Sequence, residues 1–240
     1  MLTFVKGSPV FGRKRAGRAV VLGAAGLGAC VLLAACSPVK MGAAAIVGNQ
    51  RITAASLDTQ VANLQASATR YGSQFPLTAA QMPSAVLSWL VRFSIMDQVA
   101  ASNGISVSQA QVQQGVATVT SQAASAAAEI GYQSPQEVLV GAGISPQMLT
   151  SIGRDAAQET VYMQKANGGQ LAATAAQTAA VRAALDTAQC QAAKSLSIQV
   201  NPQFGRMDYS HYSVVAGPDT LSRPSGVPST ASAIGLVPAC

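Results

Sequence analysis

The apolar positions along the chain change period several times, and each change marks an element. Residues 43–53, "AAAIVGNQRIT", read as two short strands about a turn, with Gly48-Asn49 suited to positive φ. Thr53 then sits where an N-cap belongs. Leu57, Val61 and Leu64 recur at helical spacing, which predicts a helix to about residue 71. After the break at "SQFPL", Thr78 and Gln81 match a capping box and predict a helix over about 79–102. Its apolar face is broad. Val86, Trp89, Leu90, Phe93 and Met96 form one stripe, and Leu87, Val91 and Ile95 widen it, as expected of the most buried helix in a domain. Asn103-Gly104 ends it.

Further start signals follow at regular intervals. Ser108 with Gln111 opens a polar, Ala-rich helix to roughly residue 129, carrying a thin stripe of Val112, Val116 and Val119. Ser134, Pro135 and Glu137 open a short helix over 134–143. "SPQMLTSIGRDAAQETVYMQKA" predicts a longer one over 145–166, stopped by Asn167-Gly168-Gly169. Another Ala-rich helix is expected over about 170–194. Leu196, Ile198 and Val200 then alternate with period two, the mark of a strand, and Asn201-Pro202 turns the chain. The fold class is therefore mainly α with short strands near both ends. From residue 216 onward Pro, Gly, Ser and Thr dominate without periodicity, so residues 209–240 read as a flexible tail beyond a domain at 43–208.

Composition and charge change this picture mainly at the N-terminus. The chain is 49% hydrophobic but only 5% aromatic, so a core here consists of many small contacts. A net charge of +6 invites a nucleic-acid reading. Five of the 15 basic residues, however, fall in the first 35 positions, which carry no Asp or Glu, and the rest of the chain is nearly neutral. No basic patch is interleaved with aromatics, so nucleic-acid binding is not expected. The basic start and the apolar run "AVVLGAAGLGACVLLAA" at 19–35 have the plan of an export signal.

"LAAC" at Leu33–Cys36 resembles the lipobox of bacterial lipoproteins. The resemblance implies a lipidated Cys36 as the mature N-terminus, a signal peptide at 1–35, a tether at 36–42 and a site on the outer side of the cell membrane. "LGAC" at Leu27–Cys30 fits the same short pattern, but cleavage there leaves "VLLAA" on the mature chain, so Cys36 is preferred.

"AAAIVGNQRIT" and "LSWLVRFSIMDQVAASNGISVSQAQV" together look like the N-terminal chaperone domain of SurA/PrsA-type foldases, through Ala45, Val47, Gly48, Ile52 and Thr53, then Ala100, Gly104, Ile105, Val107 and Ser108. "VNPQFG" at 200–205 is similar to a strand near the C-terminus of related actinobacterial lipoproteins. The resemblance implies a helical chaperone domain in which the N-terminal strands pair with the strand near residue 198. It implies unfolded or exported polypeptides as partners. Candidate client contacts are Val86, Trp89, Leu90, Phe93, Met96, Met148 and Met163, although core packing explains the same side chains. Many such foldases also carry a parvulin prolyl-isomerase domain, whose site usually uses two histidines. Nothing between Ala166 and Ser195 accommodates one, and this sequence has a single histidine, so isomerase activity is not expected.

Candidate chemistry is sparse. His211 in "DYSHYS" has no evident nucleophile, acid partner or second ligand beside it and reads as a surface or packed side chain. Asp155 and Glu159 share a helix face, and with Arg154 adjacent they read as a solvated pair. No motif for an enzyme, a metal or a cofactor is present. If Cys36 is lipidated, Cys190 and Cys240 remain, and outside the membrane they suggest one disulfide closing a loop worth about 4 kcal/mol; the alternative leaves the terminal Cys240 free. Two functions are expected from this: a lipid-anchored chaperone-like binder, or an envelope interaction lipoprotein with one specific partner.

Overall fold

The computed structural model describes residues 42–71, 76–216 and 240. The expected leader, Cys36 with its tether up to residue 41, and the tail segment 217–239 lie outside the described residues.

Strand β1 (Ala43–Val47) and strand β2 (Gln50–Thr53) form an antiparallel hairpin, with Gly48 at φ 57° in the turn. Thr53 Oγ1 accepts the Ser56 amide and opens helix α1 (Ala54–Tyr71). Helix α2 (Met82–Ser102) starts three residues later than the sequence predicts. The Gln81 side chain does fold back onto the Thr78 amide at 2.9 Å, but residues 79–81 stay in a turn and Pro83 sits in the first helical turn. Gly104, at φ 64°, ends α2 as Ile105 N bonds Ala100 O.

Helix α3 (Gln109–Ile130) carries both halves of the Ser108–Gln111 capping box. Helix α4 (Pro135–Gly141) is capped by Ser134. The segment expected as one helix over 145–166 begins as a 3-10 turn at Pro146–Met148 and continues as helix α5 (Leu149–Ala166). Helix α6 (Ala175–Ser195) begins five residues after its expected start, at a second complete capping box between Thr174 and Gln177.

Strand β3 (Ile198–Val200) returns to the beginning of the domain. It pairs antiparallel with β1, Ala45 opposite Val200 and Val47 opposite Ile198, giving the order β2-β1-β3. Asn201 closes the junction: its amide donates to Ala44 O and its side-chain Nδ2 to Ala43 O. β1 is thus the central strand, and Ala43, Ala44, Ala45 and Val47 are all fully buried, which small side chains permit. The expected boundary at residue 208 is corrected. Strand β4 (Arg206–Asp208) pairs with strand β5 (Ser213–Val215), and Tyr212 and Val214 are buried against α2, so the fold continues to residue 216. The period-two pair Tyr212 and Val214 is the signal for this hairpin.

α2 lies at the centre and packs on α1, α5, α6, β1 and β5. Its deepest face is Leu87, Val91 and Ile95 with Val86, Met96, Val99 and Ala100, all at most 3% exposed. The stripe through Trp89, Leu90 and Phe93 is only half-buried. α3 and α5 meet through two glycines. A Cβ on Gly115 would collide with the Gly153 carbonyl, and one on Gly153 with Val116 and the Val112 carbonyl, so the close approach of the two backbones depends on both glycines. No helix among the described residues is long and apolar enough to cross a membrane.

Candidate functional site

A cleft of about 700 Å³ opens among α2, α3, α4, α5 and α6, within the size range of sites that hold small ligands. Its apolar lining comes from Val119, Ala123 and Ala126 of α3, Val138 and Leu139 of α4, and Ile152 and Met163 of α5. The alanines of α3 supply wall without filling the space. Trp89 borders it too, and is fixed by donating its indole N–H to the Ala142 carbonyl at 2.8 Å.

The remainder of the lining is charged. Asp155 and Glu159, expected on a solvated face, are 4% and 9% exposed, and this expectation is corrected. They sit one turn apart on α5, on the side that also buries Ile152, and face Arg92 of α2 rather than Arg154. Arg92 Nη2 donates to Glu159 Oε1 at 2.8 Å, and its Nε is 3.4 Å from Asp155 Oδ2. Its guanidinium also lies 5.5 Å from the Trp89 ring centroid, a cation–π distance. Arg182 of α6 reaches Glu159 Oε2 at 3.4 Å from a largely exposed position. Gln189 of α6 donates to Glu159 Oε1 at 3.1 Å, and the Tyr212 hydroxyl donates to Gln189 Oε1 at 3.0 Å. The network therefore runs from the β4–β5 hairpin through α6 and α5 into α2. Tyr212 holds its place at φ 30°, unusual for a bulky side chain, with its ring 3% exposed.

Burial governs the proton affinities here. It pushes the Asp155 carboxyl up to about 7, because desolvation outweighs the attraction of Arg92, and Glu159 adds repulsion. Burial alone would lower the Arg92 guanidinium, but Asp155 and Glu159 overcome it and hold the group above its ordinary value, fully charged. Burial also raises Tyr212, which stays a donor. Asp155 Oδ1 is buried without a hydrogen-bond partner.

The sequence-derived candidates divide between core and cleft. Val86, Met96 and Met148 are at most 2% exposed and belong to the core, so they present no surface to a client. Leu90 and Phe93 are half-buried against that core and do not border the cleft. Trp89 and Met163 do border it. Cys190 and Cys240 are joined in a disulfide, and Cys240 N donates to Ser210 O. Cys36 lies outside the described residues.

His211, read as having no acid partner, is in fact 3.1 Å from Asp208 Oδ2 in the β4–β5 turn. Ser210 and Asp208 both meet the same ring nitrogen, Nδ1, and the Ser210 hydroxyl donates to Asp208. A catalytic triad needs the serine on the opposite nitrogen from the acid, so this is a turn cluster. The Ser210 hydroxyl, then His211, hold the half-buried Asp208 carboxyl down to about 2. Among the described residues no group of three His, Cys, Asp or Glu side chains is placed to hold a metal.

The fold is a mainly helical domain in which β1 and β3 share one sheet and a cleft opens against the central helix α2. A family model described as the SurA-like N-terminal domain matches residues 13–156, more than half of the chain. The chain belongs to that family, and this is consistent with a chaperone-like function in general. Arg92 and Asp155 lie inside the matched span, whereas Glu159, Arg182, Gln189 and Tyr212 lie beyond it. No curated protein and no solved structure matches the chain.

Proposed function

We propose that this chain is a lipid-anchored chaperone-like protein on the outer face of the cell membrane, which binds segments of unfolded or exported polypeptides without catalysing prolyl isomerisation. The observation that carries the reading is the cleft beside α2: about 700 Å³, walled by aliphatic and alanine side chains and bordered by a Trp. Apolar side chains of an extended segment gain burial there, and the alanine wall tolerates varied shapes. Membership in the SurA-like family supports a polypeptide as the ligand. The lipobox-like "LAAC" supports attachment through Cys36, and the single histidine, exposed in a hairpin turn, supports the absence of an isomerase site.

The test is aggregation of an unfolded client with and without a molar equivalent of the purified chain. The reading predicts delayed and diminished aggregation; unchanged aggregation would remove the chaperone function. The charged floor of the cleft favours a second reading, an envelope lipoprotein with one specific partner. That reading predicts no general suppression and one stoichiometric protein on gentle co-purification.

A further inference from the structure

Resting on the cleft as a polypeptide site, we propose that its preferred segment places a lysine or arginine side chain among aliphatic ones, with the cation received on the Asp155, Glu159 and Asp186 side of the lining. Five charged residues border the cleft: these three carboxylates against Arg92 and Arg182. With all three carboxylates ionised the lining has one more carboxylate than cation, and a single positive side chain brings it to balance.

The hydrogen bonds point the same way. Glu159 already receives Arg92, Arg182 and Gln189. Asp155 offers Oδ2 to Arg92, while its Oδ1 is buried with no donor. A buried carboxylate oxygen left without a donor is costly, and an ammonium or guanidinium group meets that need with a charge-assisted bond. Lys and Arg carry the charge at the end of an apolar stem. That stem can lie along Val119, Val138 and Ile152 while neighbouring aliphatic side chains fill the space beside Leu139 and Met163. An acidic segment in the same place meets repulsion from three carboxylates.

A cation at Asp155 also has a proton signature. The groups acting on Asp155 are Arg92 and Asp97 of α2 and Glu159 on its own helix, with Arg182 and Asp186 of α6 on the same lining and Tyr212 of the hairpin coupled to it. α3 brings Thr118, Gln122 and small apolar side chains to the lining, and α4 only apolar ones. Because burial holds the Asp155 carboxyl near 7, a bound cation displaces its proton, and cationic segments bind more tightly as pH rises from 6 to 8.

The experiment compares three labelled pentapeptides, Ala-Leu-X-Leu-Ala with X lysine, norleucine or glutamate, by fluorescence anisotropy on the full chain with its disulfide intact. The lysine peptide is expected to bind at least fivefold more tightly than the norleucine peptide at pH 8, with glutamate weakest, and the lysine preference should shrink at pH 6. Asp155→Asn should abolish the pH dependence of that preference. Asp186→Asn, at a half-buried rim position, should reduce the preference without disturbing the core. Equal binding of all three peptides overturns the cation assignment and leaves the polypeptide reading standing. A lysine preference unchanged by both variants overturns the assignment to these carboxylates. No binding of any peptide, together with no suppression of aggregation, overturns both readings.

Discussion

Asp155 is the residue whose chemistry departs furthest from what its place in the sequence suggests. Its carboxyl is raised from an ordinary 3.8 to about 7, so the folded chain holds this proton more tightly than the unfolded chain does. The resulting stabilisation is fully present below about pH 4 and is lost as pH rises through 7, a decline of roughly 2–4 kcal/mol across that window. Asp155→Asn should remove this component. In urea titrations from pH 4 to 8, wild type should lose stability relative to the variant as pH rises, and parallel curves would contradict the assignment. The sequence gives only a partial view of this cluster. Asp155 and Glu159 are visible as a same-face pair, but their neighbour Arg154 drew the pairing to the surface. The informative signal is Arg92, a lone cation within the apolar run "SAVLSWLVRFSIM": a charge on a buried helix needs a partner from another helix. That partner lies 63 positions away on Asp155, a separation that no local pattern encodes.

Elements whose signals are local are legible in the sequence. Ser108 with Gln111, Ser134 with Glu137, Thr53 and Asn103-Gly104 mark helix ends that the structure retains, because each depends on bonds to residues three to five positions away. The start of α2 shows the limit. Thr78 and Gln81 form half of the expected box, but Pro83 fixes the first helical turn further on. The α3–α5 crossing is also hidden, since Gly115 and Gly153 are unremarkable until the helices are brought together. Their contact yields a prediction at this scale. Gly153→Ala places a Cβ against the Val116 side chain and, behind it, the Val112 carbonyl and the Val116 amide, backbone atoms that cannot swing aside. The variant should be destabilised by about 1–3 kcal/mol despite the better helix propensity of alanine. A higher melting temperature for Gly153→Ala would show that the helices separate without cost.

The whole molecule is closed at two levels. β3 joins β1, so the sheet forms only when residues near 45 and 200 meet. The Cys190–Cys240 disulfide then ties the last residue to α6 with a sequence separation of 50. Cys190→Ser with Cys240→Ser should cost about 4 kcal/mol by the loop-entropy account, read as a lower denaturant midpoint. The strand pairing was foreseeable from the family resemblance, whereas the β4–β5 hairpin was masked by its polar turn "DYSH", which resembles the tail that follows. Membrane attachment is tested separately: Cys36→Ser should abolish metabolic lipid labelling and Cys30→Ser should leave it intact, and the reverse result would move the anchor.

The central claim is that polypeptide clients occupy the cleft. Two positions on α3 separate it from binding elsewhere: Val119 borders the cleft, and Ser125 is exposed and does not. A photo-crosslinking side chain placed at each, mixed with an unfolded client and irradiated, gives the most direct measurement. The account predicts strong adducts from position 119 and weak ones from position 125. Equal yields at the two positions, or a higher yield from 125, would contradict it.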